Sequence, residues 1–157
     1  MDKERFTNEV LANERSMYYV AKSILGNDED CADAIQNAIL GAFSSLKTLR
    51  NDKHFKTWLT RILINECYSI IRKNKKMVSY DEYMDMDMDM PDSSVEYSEV
   101  YMEIQALEEK YRVPFVLHYV EGFSLKEISV MLGSSEASIK MRLMRGRSIL
   151  KKQLSTL

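Results

Sequence analysis

Residues 124–153, SLKEISVMLGSSEASIKMRLMRGRSILKKQ, decide the fold of the C-terminal third of the chain. Ser124 and Glu127 have the spacing of a capping box, which starts a helix. Apolar residues then recur at helical spacing, and Gly133 marks the end of this helix. One of the two serines that follow caps a second helix. Two helices joined by so short a turn indicate a helix-turn-helix, whose second helix lies in the major groove of DNA.

The second helix is amphipathic and basic. At about 100° per residue, its narrow apolar face carries Ile139, Leu143, Gly146 and Leu150. Its opposite face carries Ala137, Met141, Met144 and Ser148. Between residues 137 and 152 the sequence has no acid and these basic residues: Lys140, Arg142, Arg145, Arg147, Lys151 and Lys152. Cations beside the outer face are suited to contact DNA phosphates, and residues on that face are suited to contact bases. The alternative interpretation of this basic helix is an ordinary solvent-exposed helix.

Length and composition predict a small helical protein. The chain has 157 residues, 45% of them hydrophobic, and only five glycines and two prolines. Cys31 and Cys67 form no CxxC motif, so we expect neither a disulfide nor a zinc site, and the thiols fit core positions in a reducing cytosol. We expect no metal or cofactor, no signal peptide and no membrane insertion.

The net charge of −2 conceals an acidic segment between two basic blocks. Residues 1–75 and 101–157 carry net charges of +2 and +3, whereas residues 76–100 carry −7. The Met-Asp alternation in this segment suggests a cation site only weakly, because it lacks diverse ligands and a turn glycine. A flexible, self-repelling linker at residues 77–97 is the favoured interpretation. It divides the chain into domains at 1–76 and 98–157.

The N-terminal domain is predicted to begin with an amphipathic helix from Phe6 to Leu25, followed by a second helix. This second helix is predicted from Asp30 to Leu46, with an inward stripe of Cys31, Ile35, Ile39, Ala42, Phe43 and Leu46. Its outward face carries Asp33, Asn37, Leu40 and Ser44, with Gln36 at the edge. The exposed leucine indicates either a protein contact or an ordinary surface position.

A third helix, predicted from Phe55 to Lys75, has an apolar face and a cationic, aromatic one. The inward residues are Leu59, Leu63, Cys67, Ile70 and Ile71. The far face carries Arg61, Asn65, Tyr68 and Arg72, with Trp58 beside them. Rings stack on unpaired bases and cations hold phosphates, so this stripe is typical of single-strand binding. The alternatives are a core tryptophan and solvated arginines. The two histidines have no partner at ligand spacing.

Together these segments resemble bacterial RNA polymerase sigma factors of the sigma-70 family, in the extracytoplasmic function (ECF) subgroup. Residues 30–43, DCADAIQNAILGAF, resemble the helix that binds the polymerase clamp. Residues 54–73, HFKTWLTRILINECYSIIRK, resemble the helix for the −10 promoter element, and residues 107–150 resemble the −35-reading domain. The resemblance implies an all-α fold, two helical domains joined by the acidic linker, and promoter recruitment without enzymatic activity.

The resemblance also implies roles for particular residues. It assigns polymerase binding to Asp33 and Gln36. The predicted polymerase-binding surface also includes Asn37, which stands where the family usually has an acid, and the outward-facing Leu40. The −10 positions are Asn65 and the base-capturing loop of Arg50, Asn51 and His54, with Trp58, Arg61, Tyr68 and Arg72 on the same surface. The −35 base contacts are Lys140, Met141, Met144 and Arg145, while Arg142 and Arg147 match phosphate contacts. Glu108 replaces a proline usual in the family, which predicts an earlier start for the helix near Leu107.

The implied partners are core RNA polymerase, promoter DNA and an anti-sigma factor, and the linker is expected to run through the polymerase channel near the RNA exit. The alternative function is a stand-alone helix-turn-helix regulator, which would not require residues 30–72. An adaptor without a DNA role conflicts with the acid-free basic helix, and an enzyme conflicts with the lack of a nucleophile–base pair.

Overall fold

The computed structural model describes residues 1–78 and 98–156, and its regular elements are helices. The N-terminal group contains α1 (Lys3–Ala12), α2 (Glu14–Leu25), α3 (Asp28–Ser44) and α4 (Phe55–Val78). The C-terminal group contains α5 (Glu99–Ala106), α6 (Glu109–Phe115), a π-helical turn (Val116–Val120), α7 (Leu125–Leu132) and α8 (Glu136–Leu154). The predicted all-α fold with two helical domains is confirmed. The proposed linker, apart from the end of α4, lies outside the described residues.

Asn13 divides the predicted first helix into two. Its amide side chain donates a hydrogen bond to the Glu9 carbonyl oxygen at 2.8 Å. Its backbone leaves the helical region, with φ −105° and ψ 7°. Asparagine side chains compete for backbone groups in this way and so favour helix ends. The continuous helix from Phe6 to Leu25 was therefore a wrong prediction, because the apolar periodicity persists across the break.

Helix α3 packs closely on α4 because alanines line its inner face. Its fully buried positions are Cys31, Ala34, Ala38 and Ala42. The predicted buried stripe included Phe43, but this residue is 49% exposed and lies at the edge of the core, where its ring contacts the Phe6 ring at 5.4 Å between centroids. The helix begins two residues earlier than predicted, because the Asn27 side chain accepts a hydrogen bond from the Asp30 amide at 2.8 Å.

Arg112 holds the corner between α5 and α6. Its guanidinium donates to the Leu107 carbonyl oxygen at 2.7 Å and to that of Gln105 at 3.4 Å. Leu107 and Glu108 both have extended backbones, so α6 begins only at Glu109. The predicted earlier start of this helix was wrong, because the arginine stabilises a bend at that position.

The two groups of helices pack against each other. One cluster of buried apolar residues extends from the N-terminal helices to Val113, Leu117, Phe123, Ile128 and Met131 of the C-terminal group. The contacts join α2 and α4 to α6, α7 and the π-helical turn. The sequence predicted two domains correctly but gave no indication that they share a buried core.

Candidate nucleic-acid interface

The helix-turn-helix forms as its end signals predict. Ser124 and Glu127 make both hydrogen bonds of the capping box, each at 3.1 Å. Gly133 ends α7 in the left-handed region, with φ 65°, which glycine adopts without steric cost. The Ser135 hydroxyl then accepts from the Ser138 amide at 3.1 Å and starts α8. These three devices fix the direction in which α8 leaves the turn.

Helix α8 presents its basic side to solvent. The predicted inner residues Ile139, Leu143, Gly146 and Leu150 are all buried. The outer residues Ala137, Met141, Met144 and Ser148 are exposed, as are Lys140, Arg145 and Arg147. Arg142 differs from these residues because it is only half-exposed and lines a cleft beside Glu109. The helix is therefore mounted on a packed core with its cations outward.

The proposed single-strand surface on α4 is divided between solvent and the second domain. Arg61, Asn65 and Arg72 are exposed. Tyr68 is half-buried in the interdomain cleft, where burial and the neighbouring Glu109 carboxylate raise the pKa of its phenol. The structure therefore does not bring the predicted stripe together as one open face.

Trp58 lies at the edge of the N-terminal core. Its indole Nε1 donates a hydrogen bond to the Thr48 hydroxyl at 3.2 Å. Its ring contacts Phe55 at 5.8 Å between centroids. The side chain is half-buried. The sequence left a core position and an exposed position as alternatives, and the structure places Trp58 between the two.

The loop before α4 is short and exposes the predicted base-capturing residues. Arg50, Asn51 and His54 are all exposed. The Asn51 side chain accepts from the Lys53 amide at 3.0 Å, and this starts a short 3₁₀ turn. Arg5 forms a 2.8 Å ion pair with Asp52 and ties the loop to α1. The loop is thus anchored at its centre while its polar ends remain accessible.

The predicted polymerase-binding face of α3 is also accessible. Asp33, Gln36 and Asn37 are exposed, and Leu40 has 61% of its surface in contact with solvent. An apolar groove runs beside this face between α1, α2 and α3, lined by residues such as Leu11, Tyr18 and Ile39. The groove and the exposed leucine give this side of the molecule an apolar character.

Polar contacts across the domain boundary were missed by the sequence prediction. The Ser16 hydroxyl donates to Glu121 at 2.5 Å, and the Thr57 hydroxyl donates to Glu127 at 2.5 Å. Arg112 Nε donates to the Ser23 carbonyl oxygen at 2.6 Å. Periodicity gives no such partners, although buried Thr60 and Ile64 reveal a second covered face of α4.

The remaining candidate chemistry is structural. Cys31 and Cys67 are free and buried, and burial raises the pKa of each thiol to about 12. The ring nitrogen Nδ1 of His118 lies 2.7 Å from the Phe123 carbonyl oxygen and supports the turn before α7. Within residues 1–78 and 98–156, no group of acidic, histidine or cysteine side chains could hold a metal. None of the helices described there could cross a membrane.

Comparison with known families identifies both helical groups. Residues 10–77 match the model of sigma-70 region 2, and residues 97–150 match that of sigma-70 region 4. SigV of Bacillus subtilis is 27% identical over 161 residues, covering 99% of this chain and 97% of the relative. The ECF sigma factor SigW of the same organism is 28% identical, with coverage of 99% and 92%.

Two solved structures share the fold. The sigma factor RpoE, in complex with the anti-sigma factor NepR from Bartonella quintana, matches with a TM-score of 0.82 and 22% identity. That match covers 97% of this chain and 98% of the solved chain. CnrH, in complex with the cytosolic domain of CnrY, matches with a TM-score of 0.70 and 21% identity, covering 99% and 90%.

The chain belongs to the ECF subgroup of sigma-70 RNA polymerase sigma factors. It directs RNA polymerase to promoters and contains region 2 and the helix-turn-helix of region 4. Sigma factors select promoters and are not enzymes. Because region 2 matches residues 10–77, which include the segment that a stand-alone regulator would not require, that alternative is not the function of this chain.

Proposed function

We propose that α8 reads the −35 element through its exposed face. Lys140, Met141, Met144 and Arg145 contact bases, while Arg142 and Arg147 contact phosphates. The observation that carries this assignment is the contrast between the two sides of α8. One side is buried against the C-terminal core, and the other is exposed and acid-free from Ala137 to Lys152. A rigid helix with outward cations is what major-groove recognition requires.

We propose that the exposed side of α4 and the preceding loop hold the melted −10 strand. Asn65 reads an unpaired base, and Arg61 and Arg72 pair with phosphates. The loop of Arg50, Asn51 and His54 captures a flipped base, and Trp58 and Tyr68 supply stacking surfaces. Unstacking a base costs a few kcal/mol, which stacking on aromatic rings at about 1–3 kcal/mol per base offsets.

We propose that α3 docks on the polymerase clamp through Asp33, Gln36, Asn37 and Leu40. The four side chains share the exposed face of one helix, whose opposite face is fixed on α4 by buried alanines. Such a rigid, partly apolar surface suits a protein partner. The chain acts in the cytoplasm, and an anti-sigma factor restrains it, in keeping with the complex of RpoE with NepR.

Run-off transcription with purified core polymerase and a random promoter library tests these assignments. Arg145→Ala is expected to change which −35 sequences are selected, because a good base contact contributes about 1–3 kcal/mol of discrimination. Lys151→Ala is the matched control, since it removes the same charge from the last turn of α8. Equal changes in selection by both variants would show that α8 contributes only general electrostatics.

Polymerase binding is tested separately by pull-down of core enzyme. Leu40→Ala is expected to weaken the complex, because it removes the large apolar side chain of the proposed surface. Val100→Ala is the control, since Val100 is 48% exposed but lies on α5. The clamp assignment fails when the two variants bind core polymerase equally well.

A further inference from the structure

A tyrosine on the π-helical turn contacts one of the arginines that we assign to a DNA phosphate. Arg147 Nη1 donates a hydrogen bond to the Tyr119 hydroxyl at 3.1 Å. Arg147 is exposed on α8, and Tyr119 is 46% exposed on the turn that precedes α7. The two residues are 28 positions apart in the sequence. The guanidinium proposed to bind phosphate therefore has a partner from a different element of the domain.

The ring of Tyr119 is held between two other rings. Its centroid lies 4.7 Å from that of Phe115 and 4.8 Å from that of His118. His118 is itself fixed, because its Nδ1 atom lies 2.7 Å from the Phe123 carbonyl oxygen. Side chains packed in this way lose most of their rotamer freedom. The Tyr119 hydroxyl is therefore a well-placed acceptor at the surface and not a mobile one.

The backbone that carries Tyr119 is unusual. The Glu121 amide donates to the Val116 carbonyl oxygen, five residues earlier, at 3.0 Å. Val116 and Leu117 are buried, so the same turn that exposes Tyr119 is anchored in the core. Single π-helical turns are rare in proteins and occur frequently at functional sites. This turn therefore marks Tyr119 as a candidate functional residue.

A hydroxyl partner orients Arg147 without neutralising its charge. The ion pairs formed within residues 1–78 and 98–156 join other side chains and do not include Arg147. A carboxylate at the position of the Tyr119 hydroxyl would cancel the positive charge that attracts phosphate. The phenol accepts one N–H group and leaves the charge and the other donors of the guanidinium for a ligand. The pair is thus suited to an anionic partner.

The position of Arg147 on α8 indicates which anion this is. Lys140 and Arg147 are seven positions apart, and at about 100° per residue they share one edge of the outer face. When this face enters the major groove, its edges lie beside the sugar-phosphate strands. Fixing a long, flexible side chain at an interface costs free energy on binding. A contact that orients the guanidinium in advance lowers this cost.

We propose that Tyr119 is a positioning residue for −35 binding, which holds the Arg147 guanidinium towards the phosphate backbone beside the base-contacting face of α8. This inference rests on the proposed phosphate contact of Arg147. The tyrosine acts through the arginine, so its hydroxyl contributes to binding only when Arg147 is present. Because phosphate contacts carry no sequence information, the hydroxyl contributes to affinity and not to the choice of −35 sequence.

The first test is a double-mutant cycle. The dissociation constant of the reconstituted polymerase complex is measured on one promoter selected from the random library. Tyr119→Phe removes the hydroxyl but keeps the ring, and we expect it to weaken binding about threefold. In an Arg147→Ala background the same substitution should have no effect. Equal weakening in both backgrounds would overturn the proposal, because Tyr119 would then act without the arginine.

The second test separates positioning from a structural role. Arg147→Ala removes a phosphate contact and should reduce the slope of log affinity against log salt concentration by about one. Tyr119→Phe keeps that charge, so the slope and the selected −35 sequences should stay as in the parent chain. A change in the selected sequences, or a clear loss of stability in urea, would show that Tyr119 shapes the domain instead and would refute positioning.

A second arginine–tyrosine pair provides a matched control. Arg15 Nη2 donates to the Tyr19 hydroxyl at 3.3 Å on α2, outside the proposed DNA surfaces. Tyr19→Phe is expected to leave promoter binding unchanged, and equal weakening by Tyr19→Phe and Tyr119→Phe contradicts the inference. Should Arg147→Ala bind as tightly as the parent, the proposed phosphate contact fails as well. Weakening by Arg147→Ala with no effect of Tyr119→Phe refutes the positioning role alone, so the two failures are distinguishable.

Discussion

The exposed methionines of α8 predict that part of the −35 element is read through thymine methyl groups. Met141 and Met144 are 52% and 51% exposed on the face that we assign to bases. A thioether is a weak hydrogen-bond acceptor and no donor, so these side chains offer mainly apolar contact. In the major groove the C5-methyl group of thymine is the apolar feature of a base pair. We therefore expect thymine at one or more contacted −35 positions.

The magnitude follows from the size of the methyl group. Burying one carbon of this kind contributes about 0.8 kcal/mol, which corresponds to about a fourfold change in affinity. Replacing a contacted thymine by uracil removes only this methyl group and leaves the base-pairing edge unchanged. Met144→Ala removes the other partner, so uracil should cost almost nothing in that variant at the position which Met144 contacts.

The assay is fluorescence anisotropy of the reconstituted polymerase complex on a promoter chosen from the random library, at one fixed salt concentration. Each −35 thymine is replaced in turn, with the parent chain, Met141→Ala and Met144→Ala. Met102→Ala is the matched control, since Met102 is 50% exposed but lies on α5. The reasoning is wrong when no uracil substitution weakens binding, or when its cost is the same in all four proteins.

Three further predictions concern stability and reactivity. Gly146→Ala should raise the free energy of unfolding by about 1 kcal/mol, because alanine favours the helix more than glycine and its Cβ would make only an ordinary 3.5 Å contact with Tyr111 Cβ. Gly133→Ala should lower the free energy of unfolding, because the backbone at this position has a φ of +65°. Urea unfolding measures both effects. The hydrogen bond from Thr57 holds the pKa of Glu127 below its ordinary 4.5, so this carboxylate stabilises the fold above that pH and its contribution is lost as pH falls through the lower, folded value. Acid titrations by circular dichroism should show a smaller loss for Thr57→Val, and an unchanged titration would contradict this assignment. Cys31 and Cys67, with pKa values raised to about 12, should react with a thiol reagent only as the chain unfolds, and prompt labelling of the native protein would contradict their burial.

The sequence was sufficient wherever a local signal determines local structure. The capping box at Ser124 and the glycine at 133 gave both ends of α7, and the apolar spacing gave the buried side of α8. It was insufficient where one signal competes with another. Asn13 interrupts a periodic pattern that continues on both sides of it, and Arg112 stabilises a bend that no proline marks.

The interdomain surface could not be predicted because its residues have two possible interpretations. Thr57, Thr60 and Ile64 lie at helical spacing beside the core stripe of α4. From the sequence alone they are indistinguishable from an extension of the face that packs on the N-terminal core. Tyr68 reads equally well as an exposed aromatic residue. Only the position of the C-terminal domain distinguishes these possibilities, and that position depends on contacts between residues far apart in the sequence, such as Thr57 with Glu127, which are 70 positions apart.

Apolar burial and polar contacts have different consequences at this interface. Ile64 is 1% exposed and belongs to the buried apolar cluster that includes residues of both groups of helices. Burying one large aliphatic side chain contributes about 1.5–3 kcal/mol, whereas one partly exposed polar contact contributes about 0.5 kcal/mol. The apolar surface therefore supplies most of the closing free energy, and the carboxylates fix the orientation in which the domains meet. Removing one hydroxyl donor should accordingly cost about 0.5 kcal/mol of closing free energy and leave each domain folded.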